Sequence, residues 1–421
     1  MYKKTLLKNG LRIITIPVGG TQAVTVLLLV GTGSKYETEK TNGISHFLEH
    51  MFFGGTKKRP STLQLVEPLD RMGGTYNAFT GKEYTGFWAK VEASHLDFVL
   101  DWVSDIYLNS KLETKKIQKE KGVILQEIKM YLDTPISYIN DLWEKLLYGE
   151  QPAGRLIIGK SENILRFKRR DLLEYQKNYY SAKNTIVCVA GKVKPKETEK
   201  KIRKCFKKIN IKPAKQKLKV VEKQTKPKSS IYFKKTDQTH LCLGVRAYDL
   251  FHPQKYTQAL LATLLGGYMS SRIWITLREK RGLAYYIKTS PQNMTDTGYL
   301  MTQVGVDHQK AEKAISLILQ EYRKIKYKNP DPSELQKAKD NLKGKLSLSL
   351  ESSDFQASFY AGQELLSEEI LTPKEQFAKI DQVTGDNILK VAREIFQPEK
   401  LNLALIGPFK KKEKFEKILK I

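Results

Sequence analysis

The order of strand-like and helix-like segments runs through the chain twice, and this repetition constrains the fold more than any other feature. The first half opens on two runs rich in β-branched and aliphatic residues, LRIITIP and AVTVLLLV, which suit strands. A short helix carrying two histidines follows, then TLQLVEPLDRM as a second helix. GGTYNAFTGKEYTGFWAKVE reads as two strands set off by glycine turns. Helices are expected at about 95–109, 113–133 and 136–148. The half closes with helix RDLLEYQKNYY, strand NTIVCVAG and a basic helix to about 208. The second half repeats this order. It has strands SIYFKK and HLCLGVRAY, a helix ending at Gly266–Gly267, a helical SSRIWITLREKRG, and strands LAYYIKTS and GYLMTQVGV. Long helices at about 308–327 and 331–351 come next, then a helix at about 383–396, strand LNLALIGPF and a basic helix. Two passes of about 200 residues imply an internal duplication, with a period too long for a solenoid. The expected fold class is α+β: two homologous domains, each a largely antiparallel sheet with helices packed on it. The Lys/Pro-rich stretch 210–228 lacks apolar periodicity and reads as a basic linker between domains 1–209 and 229–421.

Hydrophobic residues make up 40% of the 421, enough for packed cores. The formal net charge is +28, which raises the question of a nucleic-acid partner. Lysine, however, is spread along almost the whole chain. The dense stretches, 192–228 and 409–420, lack the interleaved aromatics of a base-stacking surface. No specific nucleic-acid partner is expected, and a basic nucleic-acid-binding protein is the weakest alternative. Three cysteines (Cys188, Cys205, Cys242) form no C-x-x-C pair, which argues against a disulfide framework or a cysteine zinc site and fits a reducing compartment. The first residues, MYKKTLLKNGLRIITIP, hold no sustained apolar run, and no window approaches the roughly 20 apolar residues of a membrane span. The expectation is a soluble, cytoplasmic protein.

The histidine segment, NGISHFLEHMFFGGT, carries the chemistry. Asn42 is the expected helix N-cap and Gly54–Gly55 the expected stop. His46 and His50 are four apart and share a helix face, with Glu49 beside them. Two imidazoles and one carboxylate suit zinc and leave a position for water. Such a water attacks a carbonyl at neutral pH, and a carboxylate off the metal takes its proton. The plainer reading is a core helix whose histidines are solvated or hydrogen-bonded. A third ligand must come from elsewhere. ETKKIQKEKGVILQEIKMYLDTP offers Glu120 and Glu127, seven apart on one face beside Ile117, Ile124 and Ile128, and spacing alone selects neither.

H-x-x-E-H reverses the H-E-x-x-H order and is the inverzincin signature. At this point the chain resembles the pitrilysin/insulysin family, in particular its short members akin to mitochondrial processing peptidase and bacterial zinc peptidases of this size. The blocks LKNGLRIITIP, GSKYE, GISHFLEHMFFGGT, MGGTYNAFTGKEYT, EKGVILQEIKMYLDTP and MSSRIWITLREKRGLAYYI are similar to family blocks and stand in family order. In that family the third ligand is a glutamate about 76 residues past the second histidine. Here 76 residues separate His50 from Glu127, so the resemblance implies Glu127. It implies one zinc per chain, Glu120 as a supporting carboxylate, and Glu49 as general base with a zinc-bound water as nucleophile. It places Asn77, Ala78, Phe79 and Thr80 on an edge strand that pairs with substrate backbone. It gives Arg278 and Tyr285, in LREKRGLAY, to the substrate carbonyls and the developing oxyanion. The implied function is a zinc endopeptidase acting on peptides or unfolded segments enclosed in a chamber. A non-catalytic partner subunit of a peptidase-like heterodimer is the alternative.

Superposing Gly54–Gly55 on Gly266–Gly267, an offset of 212 residues, puts His46, Glu49 and His50 on Gln258, Leu261 and Ala262. The second half has lost the metal pattern. In the first half, LDRMGGTYN stands where LREKRGLAY stands in the second, with Asp70 at the place of Arg278. Since longer family members hold four such domains, the resemblance implies half of a clamshell. A homodimer is expected, with Arg278 and Tyr285 of one subunit completing the zinc site of the other.

Overall fold

The structure is a computed structural model, which describes residues 2–367 and 369–421. The strands of the first sheet are β1 (Lys3–Leu6), β2 (Arg12–Pro17), β3 (Ala23–Val30), β4 (Thr75–Thr80), β5 (Thr85–Glu92) and β6 (Thr185–Gly191). They lie in the order β1-β2-β6-β3-β5-β4. Every neighbouring pair is antiparallel except β2 and β6. The second sheet holds β7 (Lys228–Phe233), β8 (Thr239–Ala247), β9 (Ala284–Asn293), β10 (Gly298–Val306) and β11 (Leu401–Gly407), in the order β7-β11-β8-β10-β9. Again one pair is parallel, β7 with β11. With β1 set aside, the second sheet repeats the first strand for strand. The duplication is therefore one of topology as well as element order, and the α+β class holds. β1, which is absent from the sequence reading, adds an outer strand by pairing Lys3 with Thr15 through Leu6 with Arg12.

The expected boundaries are redrawn in three places. One compact unit contains Met1–Lys129, Arg155–Leu218 and Leu348–Ile370; the other contains Met130–Gly154, Lys219–Ser347 and Leu371–Ile421. Each unit thus takes one helix from the other half of the chain, and the linker divides between the units after Leu218. The cause lies in the central strands, which are apolar on both faces and need cover on both. In the first unit, Ile14, Leu27, Leu29, Ile186 and Cys188 pack against Ala357, Tyr360 and Ala361 of the helix Ser353–Leu366. The helix Leu96–Asn109 packs on β3 and β5, and Pro195–Cys205 packs on β2. In the second unit, Cys242, Met301, Ala404 and Ile406 meet Ile139, Leu142, Trp143 and Leu147 of the helix Pro135–Tyr148. The remaining strand residues there, such as Leu243, Val245, Leu300 and Leu405, pack with the helices Lys255–Gly266, Ala311–Tyr327 and Gly385–Ile395. Burying each Leu, Ile or Val side chain contributes about 1.5–3 kcal/mol, so an uncovered sheet face is costly. The helices Ser353–Leu366 and Pro373–Asp381 are additions to the sequence reading.

β4 lies at the rim of the first sheet and pairs only with β5. Residues 77–80 therefore stand on an edge strand. None of the described helices is long and apolar enough to cross a membrane.

Candidate metal centre

The histidine helix runs Ile44–Phe52 and is held by its apolar side. Ile44, Phe47, Leu48, Met51 and Phe52 are buried, with Phe47 stacked on Phe167 and Phe52 tilted against Phe87. Its start differs from the expectation. Gly43, not Asn42, is the N-cap residue, with φ +98°, a conformation that favours glycine. The missing cap oxygen comes from Glu37. Its carboxylate accepts from Gly43 N–H at 2.8 Å, Ser45 N–H at 2.8 Å and the Asn42 side-chain amide at 3.0 Å. A negative charge here also suits the positive end of the helix dipole. Burial pushes the Glu37 carboxyl up, opposed by these same hydrogen bonds. Ser45 Oγ adds a bond to Tyr175 Oη at 2.7 Å, which in turn meets Thr32 Oγ1 at 2.7 Å. The helix is fixed at its first turn, so the histidines are presented by a rigid element.

The second contributor is the helix Thr114–Leu132. Ile117, Ile124 and Ile128 are buried, and Glu120 and Glu127 flank that stripe. Glu127 Oε2 lies 3.6 Å from His46 Nε2 and 3.4 Å from His50 Nε2. A tetrahedral zinc with bonds near 2.0–2.1 Å places its ligand atoms about 3.3 Å apart. His46, His50 and Glu127 are the one grouping of this kind among the described residues. These residues fit the ion and would hold it through two imidazole nitrogens and one carboxylate oxygen. When bound, zinc supplies a Lewis acid that polarises a carbonyl and makes water acidic.

Glu120 Oε2 stands 3.4 Å from His50 Nδ1, on the far side of the ring from Glu127. A carboxylate there orients the ring and fixes which nitrogen faces the metal. The Nδ1 of His46 is buried and has no hydrogen-bond partner. Burial pushes the His50 imidazole down, but Glu120 and Glu127, by hydrogen bonding, and the charges of Glu127 and Glu49 outweigh it, raising it to about 9. Hydrogen bonds from both histidines outweigh burial at Glu127 and hold its carboxyl at about 2.

Glu49 is not part of the ligand grouping. Its Oε2 accepts from Thr80 Oγ1 at 2.5 Å. Burial raises the Glu49 carboxyl above the usual range, opposed by the Thr80 bond and the two histidines. A carboxylate raised toward neutrality is suited to accept a proton and pass it on. Thr80 thus has a role absent from the sequence reading, which placed it among substrate-backbone contacts alone. Glu37 is a second omission; its only signal is its place in the GSKYE block.

On β4, Asn77 Oδ1 accepts from the Ala78 N–H at 2.8 Å, Ala78 is buried, and Phe79 packs edge-on to Tyr84. In the second unit, Arg278 sits in a π-helical turn, Ile275–Glu279, rather than in a continuous α-helix. Its guanidinium donates to the carbonyls of Ala284, at 3.2 Å, and Tyr285, and lies over Trp274. The Tyr285 side chain is 60% exposed. The pair is therefore joined through Tyr285's main chain. The helix matching the histidine helix buries Gln258, Leu261 and Ala262 completely or nearly so. Gln258 accepts from Tyr248 N–H at 3.3 Å and donates to the Tyr299 carbonyl at 3.3 Å. The motif positions of the second copy have become core.

A duplicated α+β unit, with H-x-x-E-H and a distant glutamate brought together in the first copy alone, defines the two-domain metallopeptidase class. The family model described as Insulinase (Peptidase family M16) matches residues 12–161, and that described as Peptidase M16 inactive domain matches residues 166–342. A Bacillus subtilis protein named uncharacterized zinc protease YmxG is 35% identical over 409 residues, covering 97% of this chain and 98% of the relative. An uncharacterized zinc protease of Rickettsia felis is 31% identical over 409 residues, with 96% of each covered. The chain belongs to the insulinase, or M16 peptidase, family. Its fold matches the crystal structure of a protease from Helicobacter pylori with a TM-score of 0.90 at 23% identity, over 97% of this chain and 99% of that one.

Proposed function

We propose that the chain is a zinc-dependent endopeptidase that binds peptides or unfolded segments in extended form and hydrolyses them within an enclosed chamber. One observation carries this reading: the His46, His50 and Glu127 ligand atoms all lie within 4.8 Å of one another, with Glu49 on the same helix as the histidines. In this reading Glu49 takes a proton from the attacking water and hands it to the leaving amine. The free edge of β4 takes the substrate backbone by strand addition, with Asn77, Ala78, Phe79 and Thr80 in contact. Arg278 and Tyr285 stabilise the oxyanion side. The intact donor set weighs against a non-catalytic partner subunit. The three cysteines are free, which supports a cytoplasmic setting.

The test is digestion of a peptide library followed by mass spectrometry, with and without a chelator. Cleavage that a chelator abolishes and zinc restores is expected, with about one zinc per chain. Cleavage indifferent to chelation would overturn the reading. The homodimer is part of the same proposal: each copy lends Arg278 and Tyr285 to the other. Mixing His50→Ala chains with Tyr285→Phe chains should then restore part of the activity, and no rescue in proven mixed dimers counts against it.

A further inference from the structure

Residues 33–37 lie between β3 and the histidine helix and carry two buried charges that are tied to different elements. The Lys35 side chain is wholly buried and donates to Glu83 Oε1 at 2.9 Å; the Glu83 side chain is 5% exposed. Lys217 reaches the same oxygen at 3.4 Å. Glu83 belongs to the turn between β4 and β5. Two main-chain bonds tie the same pieces together: Ser34 N–H to the Gly81 carbonyl at 3.2 Å, and Lys35 N–H to the Lys82 carbonyl at 2.9 Å. The approach is so close that a Cβ on Gly33 would sit 2.2 Å from the Gly81 oxygen. Two residues past Lys35, Glu37 holds the first turn of the histidine helix. One short loop therefore grips the turn that follows Thr80 and the helix that carries Glu49. The hydrogen bond from Thr80 to Glu49 spans the two gripped elements.

We propose that the loop Gly33–Glu37 is a frame that sets where the Glu49 carboxylate stands beside the edge strand, with Lys35 and Glu83 as positioning residues acting through Thr80. This rests on the reading of Glu49 as general base. Stability alone gives little reason for the ion pair, because a buried pair is commonly replaced by apolar residues without loss. Orientation does give one. A charge pair joined to two main-chain bonds holds the turn in one place, and a shift of about 1 Å at a reacting group costs about a hundredfold in rate.

The test joins kinetics of the zinc-loaded enzyme to amide hydrogen exchange of the metal-free protein. Thr80→Val is expected to lower kcat about tenfold or more, with KM and zinc content unchanged, and Thr80→Ser to recover most of the loss. Glu83→Gln is expected to lower kcat in the same manner. Because Glu83 acts through Thr80, the double variant Thr80→Val/Glu83→Gln should be no slower than Thr80→Val alone. The Lys35→Met/Glu83→Met pair removes the two most buried charges together, leaves only the more exposed Lys217 without Glu83, and keeps the fold within reach. Its amides at Ser34, Lys35 and Gly81 should exchange about tenfold faster or more than in the parent. Unchanged exchange at these three amides overturns the frame, whatever the activity. Faster exchange with undiminished kcat, or losses that multiply in the double variant, overturns the positioning role. A parent enzyme that cleaves nothing would instead defeat the peptidase reading, and the exchange arm keeps the two failures apart.

Discussion

Zinc binding to this site should depend on pH well above the range of an ordinary histidine. The two carboxylates raise His50 to about 9. At pH 7 the metal-free ring therefore carries its proton in about 99 of 100 molecules, and zinc must displace it before Nε2 can serve as a ligand. Two pH units at ~1.36 kcal/mol each come to ~2.7 kcal/mol, or about a hundredfold in apparent affinity. The sign follows from the proton's place: affinity rises with pH and levels off above about 9. Glu127, held at about 2, stays ionised throughout and adds nothing to the slope. Competition with a chelator of known pH behaviour should show apparent affinity rising about ninefold from pH 7 to 8 and about fivefold from pH 8 to 9, about fiftyfold in all. Calorimetry in buffers of different ionisation enthalpy should show about one proton released per zinc at pH 7.5. A histidine near 6.5 would give a rise of only about 1.3-fold over the same interval. A change below about threefold, with no proton released, would show that the two carboxylates do not hold a proton on His50.

Two further outcomes test the scaffold. Glu37→Gln replaces one acceptor oxygen by a donor facing the N–H groups of Gly43 and Ser45, leaving at least one buried donor unmet. It should lower the stability of the first unit by about 2 kcal/mol, read from urea denaturation, because an unmet buried group costs about 1–3 kcal/mol. Tyr360→Ala removes a nearly buried ring that packs with Ile14, Leu27 and Ile186. A loss of about 3 kcal/mol is expected in the same assay. A loss below about 1 kcal/mol would show that the helix Ser353–Leu366 is not needed to cover that sheet.

Much of this architecture is legible in the sequence because each strand and long helix carries its own period. The apolar runs that became β3, β6, β8 and β11 are buried along nearly their whole length. What local patterns do not carry is cover from afar. The helix Ser353–Leu366 is built on small residues, Ala357, Ala361 and Gly362, beside Tyr360, so its apolar stripe is faint. Its partner in the duplication, Pro135–Tyr148, has the stronger face of Ile139, Leu142, Trp143 and Leu147 and is plain to read. Carrying that helix across the repeat would have found its counterpart. At the metal centre, H-x-x-E-H fixes one face of one helix, whereas Glu127 follows only from resemblance. Asn42 has the chemistry of an N-cap, yet Glu37 caps from six residues before Gly43, because a buried carboxylate offers two acceptor oxygens where the backbone at Gly43 turns. The Thr80 hydroxyl meets Glu49 only after the sheet has formed.

In the proposed mechanism Glu49 moves the proton while His46, His50 and Glu127 hold the metal. Glu49→Gln separates these roles, since it keeps shape and removes the base. Zinc content and peptide cleavage should be measured on the same preparation. About one zinc per chain is expected, as in the parent, with cleavage lowered about a hundredfold or more. Full cleavage at full zinc occupancy would rule Glu49 out as the base.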